Sequence, residues 1–352
     1  MERHRNNIGV LRLLFALLVI VGHAPELIDG SRMRDPFTHV FHALSLGEVS
    51  VDAFFLLSGY LITQSMTRSS SLGEYLKRRV LRIYPAFVLA WLVTVYAAGP
   101  LVGGHPASPG VRPLLGITVL AIPPRLPGAL SGLPYPLLNG AMWTIQYEFA
   151  CYLMIAALGI LGFLQRRGTI VVATSVVTVA YLANHCGIGP QQGAVHEAIR
   201  FTCIFLMGSL FFLFRDAIFS HLTGGIALLA ACVASVLMFH DGRFAELALM
   251  TFGATALFWV AFRASLGRLQ RVNDDWDISY GVYLYGWPIE ILILWHARGI
   301  SPWALAALAL PCAVLAGAAS WWGLEKWTKD LFRAPSRSAR LALAESQGVP
   351  VA

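Results

Sequence analysis

A chain of 352 residues, 57% of them apolar and 13% charged, with a mean hydropathy of +0.64, has too little polar surface for a soluble globule of this length and reads as a polytopic membrane protein. The formal charge of +7 is not a nucleic-acid footprint, because the basic residues sit in short connections between apolar runs, so no nucleic-acid partner is expected. Five scattered cysteines and ten histidines show no CxxC or HExxH spacing, which leaves no indicated metal site.

Ten apolar runs are expected to cross the lipid bilayer, at about 8–27, 48–66, 80–98, 141–163, 168–184, 198–214, 222–239, 244–263, 278–296 and 302–323. The fold class is therefore all-α, a transmembrane helical bundle. An even count places both termini on one side. With the termini inside, eighteen Lys and Arg fall in inner segments and seven in outer ones, with Arg12 inside the membrane, so both termini are expected to be cytoplasmic. MERHRNN before the first run imitates a secretory signal, but His23-Ala24-Pro25-Glu26 is a poor cleavage site and an uncleaved span is expected. Of the outer connections, 28–47 and 99–140 are long, and the proline-rich second one is expected to re-enter the membrane around Leu114–Ile122. No repeat is apparent, which weakens an inverted-repeat transporter reading. Residues 1–325 are expected to form one membrane domain and 326–352 a short disordered cytoplasmic tail.

The first run, IGVLRLLFALLVIVGH, carries Arg12 and His23. Eleven residues make three helical turns plus about 20°, so the two share a face roughly 16 Å apart along the axis. Ionisable groups inside lipid usually face a bundle interior or a wet cavity, which favours a functional pair over a snorkelling arginine and a capping histidine. On the second run Asp52 either fixes the tautomer of an imidazole, caps the helix or pairs with an arginine; Ser58-Gly59 reads as a close helix-packing spot. Arg79 and Arg82, one turn apart at the start of the third run, are either a fork for phosphate or carboxylate or simply topogenic. Glu148 lies about 10 Å below the outer start of the fourth span, at a depth similar to His23, and serves either proton handling or an arginine pair. On the ninth run, Pro288 beside Glu290 suggests cavity lining, and Tyr280 an interfacial anchor.

Together these segments resemble the acyltransferase-3 family of polytopic membrane acyltransferases, which modify bacterial glycans. The matching pieces are Arg12 with ten residues before His23, VDAFFLLSGYLI at 51–62, RVLRIYP at 79–85, WTIQYE at 143–148 and SYGVYLYGWP at 279–288, in the family's order over nearly the whole chain. The resemblance implies a ten-helix inner-membrane enzyme that O-acetylates a saccharide with acetyl-CoA as donor. It makes His23 the essential histidine, Arg12 its basic partner, Arg79 and Arg82 the RxxR pair, and Asp52 and Glu148 the acidic positions of the second and fourth spans. Many members carry a histidine where this chain has Gly286, so that segment is assigned no catalytic role.

On this reading Arg12, Arg79 and Arg82 serve cytoplasmic acetyl-CoA from the inner side. His23, Asp52 and Glu148 serve a hydroxyl of a cell-surface or lipid-linked saccharide from the outer half. His23 either takes the hydroxyl proton or carries the acyl group itself. The rival reading is a transporter or flippase of an acyl or glycan substrate, for which intramembrane Arg, Asp and Glu are equally expected.

Overall fold

The computed structural model describes residues 6–105, 111–190, 192–273 and 276–331, and among these there are helices and connections but no strand. Ten helices correspond to the ten apolar runs: α1 Ile8–Asp29, α2 Leu46–Arg68, α3 Leu72–Leu101, α4 Ala141–Ile160, α5 Arg167–His185, α6 Ala194–Leu213, α7 Gly224–His240, α8 Ala245–Phe262, α9 Ser279–His296 and α10 Pro302–Thr328. Eight are singly long and apolar enough to cross a membrane, and α7 makes nine if joined to Arg215–His221 across a 100° bend. The helix α9 has 18 residues, but its tyrosines, Gly286 and Glu290 make it less apolar.

Local chemistry sets the helix ends. Gly30, at φ 66°, takes the left-handed conformation that stops α1, and its N–H bonds the Glu26 carbonyl. A capping box opens α2: the Ser45 side chain accepts from the Glu48 N–H, and the Glu48 carboxylate accepts from the Ser45 N–H. Asp35, fully buried, accepts from the N–H groups of Phe37, Thr38 and Leu46 and so ties the outer connection down beside α2.

The apolar α1 sits among α2, α9 and α10, burying Ala16, Val19, Ile20 and Ala24. Lipid tails are as apolar as leucine, so close backbone approach, not apolar burial, holds such helices together. A Cβ on Gly59 would lie 2.0 Å from the Phe205 carbonyl oxygen, and one on Gly208 would lie 2.1 Å from that of Leu56. Gly59 is thus the packing spot expected of it, with α2 and α6 in backbone contact. Gly281 and Gly317 do the same for α9 and α10, at 2.8 and 2.7 Å from the facing backbone. At the basic end Asn7 stitches α1 to the end of α8 through the carbonyls of Val260 and Ala264.

Two expectations about the connections meet the structure. The short helix Val111–Thr118 lies against the middle of α3, where the Tyr84 hydroxyl donates to the Thr118 carbonyl at 2.7 Å. The domain boundary expected at 325 falls within a continuous helical run, since a π-turn at Trp321–Glu325 leads directly into Lys326–Leu331. The expected tail beyond 331 lies outside the described residues.

Candidate active site

The helices α1 and α9 run parallel in a fixed register. Arg12 meets Asp277, Ile20 meets Gly286, and His23 meets Trp287 and Glu290. A Cβ on Gly286 would lie 2.7 Å from Ile20 Cγ1, so the bare backbone at 286 lets α9 close onto α1. This seam carries candidate groups at both ends.

At the basic end one Asp277 oxygen accepts from Arg12 at 2.7 Å and from Arg82 at 2.6 Å. Its other oxygen accepts from the Ser279 hydroxyl and the Asn273 amide. Arg82 also lies 3.7 Å from Glu325, which the π-turn of α10 presents, and packs over the Tyr280 ring. Both arginines are therefore held by carboxylates. Arg79 is not: among the described residues it has no carboxylate within 4.0 Å, its Nε lacks a hydrogen-bond partner, one Nη donates to the Ser65 hydroxyl at 3.4 Å, and its guanidinium lies 5.8 Å from the rings of Tyr75 and Tyr152. The two members of the fork thus differ. Arg82 is locked, whereas Arg79 keeps donors for an anion.

Between the ends is a small cavity of about 40 Å³, whose polar lining is Arg12, Thr144, Glu148, Ser279, Tyr280 and Tyr283. One Glu148 oxygen accepts from Ser58 at 2.9 Å and from Tyr152 at 2.6 Å. These hydroxyl partners stand where an arginine pair was the alternative. Arg12 and Glu148 share the cavity, and Tyr283 lies one turn below Trp287.

Beyond the cavity the Trp287 indole packs edge-on against the His23 ring, centroids 4.8 Å apart. The Nδ1 of His23 is 4.0 Å from Glu290 Oε2 and has no hydrogen-bond partner; Glu290 is fully buried, and neither of its oxygens has one. Asp52 is elsewhere. It takes the arginine-pair alternative, accepting from Arg200 at 2.6 Å, while Arg200 also bonds Glu246 and lies 3.3 Å from Glu197. The carboxylate facing the imidazole is thus Glu290, in the segment to which sequence reasoning gave no catalytic role. Its signal was present as an acid two residues after Pro288 in an apolar run. Asp277 was also missed; its signal was a run of acids, Asp274, Asp275 and Asp277, at a boundary that also carries Arg268 and Arg271. Arg200 and Glu325 lie far along the chain from Asp52 and Arg82, and no local pattern links them.

The fold and site define a polytopic membrane protein with a histidine and a carboxylate near one end of a helix seam and an uncommitted arginine near the other. Residues 5–325 match the family described as the acyltransferase domain, and the chain belongs to that family; it is a membrane O-acyltransferase. It is 25% identical to the O-acetyl transferase of Shigella phage Sf6, over 83% of this chain and 86% of that one. It is 28% identical to Nodulation protein 10 of Rhizobium leguminosarum bv. viciae, over 87% and 91%. Exopolysaccharide production protein ExoZ of Rhizobium meliloti shares 32% identity over 33% of this chain and 35% of its own. No solved structure matches the chain.

Proposed function

We propose that this protein, set in the inner membrane of a bacterium with both termini cytoplasmic, moves an acetyl group from cytoplasmic acetyl-CoA to a hydroxyl of a cell-surface or lipid-linked saccharide. The observation that carries the reading is the seam itself, with Arg79, which no carboxylate neutralises, near the basic end, the polar cavity between, and His23 facing Glu290 beyond it. Acetyl-CoA supplies an activated acyl carbon on a long arm whose charged end suits Arg79. The names of the phage O-acetyl transferase and the exopolysaccharide protein support the acyl group and the class of acceptor.

Glu290 beside Nδ1 favours the tautomer with the proton on that nitrogen, which leaves Nε2 free as base. Nε2 takes the proton of the acceptor hydroxyl as its oxygen attacks the acyl carbon. The carbon–sulfur bond breaks, and the imidazolium returns the proton to the departing thiolate. Glu290 stabilises the imidazolium between the two transfers. Arg12 and Glu148 line the path of the arm, and Asp52 holds α2 to α6 through Arg200.

Purified protein with acetyl-CoA and de-O-acetylated polysaccharide from host cells lacking the protein tests this directly. Acceptor-dependent release of CoA thiol is expected, reduced on the order of 10²–10⁴-fold in His23→Ala. Wild-type release by the histidine variant overturns the role of His23. Translocation of substrate without thiol release overturns the enzyme reaction in favour of transport.

A further inference from the structure

Past His23 the same helix leads to a polar and aromatic rim that the transfer chemistry itself does not use. Glu26, nearly one turn beyond His23 on α1, forms an ion pair with Arg32, whose Nε lies 3.1 Å away, and stands beside the Tyr135 hydroxyl. Arg32 also donates to Glu48 at 2.5 Å. Arg32 and Glu48 are partly exposed, Glu26 and His23 are nearly buried and Glu290 is fully buried, so the groups lead inward from the open Arg32. Tyr135 stands edge-on to Trp287 at 6.4 Å, and Trp287 stands edge-on to His23. The indole is fixed, because its Nε1 donates to the Leu137 carbonyl and its ring fills the space where a Cβ on Gly140 would lie 2.6 Å away.

This combination is suited to one class of ligand. Carboxylates and a phenol accept and donate to vicinal hydroxyls, and aromatic edges and faces pack against sugar C–H groups. The charge narrows the class further. Among the described residues around the floor, Glu26, Glu48 and Glu290 stand against Arg32 alone, and both glutamates at the rim already engage it. The neighbouring Arg200 is in turn taken by Asp52, Glu197 and Glu246. A sugar bearing a carboxylate would meet excess negative charge and no uncommitted guanidinium there, whereas a neutral sugar can donate its hydroxyls to Glu26.

We propose that Glu26, Arg32 and Tyr135 form the acceptor subsite and that it selects an uncharged sugar residue, a conclusion that rests on His23 as the transfer centre. The test separates de-O-acetylated host surface polysaccharide into neutral and acidic fractions by anion exchange, then follows incorporation of radiolabelled acetyl from acetyl-CoA into each. Label is expected in the neutral fraction. Glu26→Gln should raise the acceptor KM about tenfold, the cost of losing a charged hydrogen-bond acceptor, and should leave the donor KM within about twofold. Tyr135→Phe, which keeps the ring and the packing, should raise the acceptor KM several-fold and guards against misfolding of the first variant. Preferential labelling of the acidic fraction, or an unchanged acceptor KM in both variants, overturns the subsite. Absence of thiol release from the wild-type protein is the separate failure of the acetyl-transfer reading.

Discussion

Replacing Glu290 with Gln tests whether the floor of the site is built for chemistry. The substitution keeps the shape and removes the charge 4.0 Å from His23 Nδ1. Two unit charges at that distance interact by about 4 kcal/mol at an effective dielectric of about 20. If the carboxylate stabilises the imidazolium formed during proton transfer, kcat should fall on the order of 10³-fold. Both KM values should hold, because Glu290 is a positioning residue reached only through His23. Stability should move the other way. A fully buried carboxylate without hydrogen-bond partners is destabilising, so Glu290→Gln should melt at the wild-type temperature or above it. The assay is acceptor-dependent thiol release in detergent, alongside thermal unfolding, with His23→Ala as the floor. A Glu290→Gln enzyme with kcat within about threefold of wild type would refute the electrostatic role.

Three further outcomes follow from how the charges are paired. Arg79→Lys should raise the donor KM about tenfold or more while unfolding stays near wild type, whereas Arg82→Lys, which loosens contacts to Asp277 and Glu325, should lower the melting temperature; equal donor KM values in Arg79→Lys and wild type would return Arg79 to a topogenic role. Asp52→Asn should destabilise by about 1.5–3 kcal/mol, because buried Arg200 loses one of its three carboxylates, yet the protein that folds should retain most of its turnover; a stable but inactive variant would restore a catalytic Asp52. A cysteine at position 79 should be labelled from the cytoplasm and protected by coenzyme A, and one at 99–105 should be labelled from outside and be indifferent to it; donor protection at the outer position alone would reverse the sidedness.

The spans were legible because lipid demands long apolar helices, and α1 to α10 follow hydropathy within a few residues. The shared face of Arg12 and His23 was legible for the same reason, since helical period is a local property. Which charges meet was not. Asp52 and Arg200 are 148 positions apart, and Arg82 and Asp277 are 195 apart, so only the packing of α2 on α6 and of α3 against α9 decides those pairs. Asp52 therefore resembled a partner for His23 in depth, while its place around the helix turned it toward α6. Glu290 was visible as a buried acid, but not that a parallel α1–α9 seam would set it opposite His23. The helix that carries Glu325 runs on past the boundary expected there, because a π-turn continues it into Lys326–Leu331.

The division between engaged and unengaged charges follows from the solvent. In a low-dielectric bundle a charge without a partner is costly, and most of the ionisable groups named above have found one: Arg12 and Arg82 share Asp277, and Arg200 takes Asp52, Glu197 and Glu246. Among the buried polar atoms without a hydrogen-bond partner, which also include Asp52 Oδ2 and Arg82 Nη1, are His23 Nδ1 and both Glu290 oxygens at one end of the seam and Arg79 Nε near the other. Moving Glu290 by a single turn along α9 would separate it from His23 by about 5 Å more, and the register contact of Gly286 with Ile20 prevents such a slip. The bare backbone at Gly286 therefore keeps the imidazole and the carboxylate facing each other, and keeps Arg12 and Asp277 paired at the far end of the same two helices.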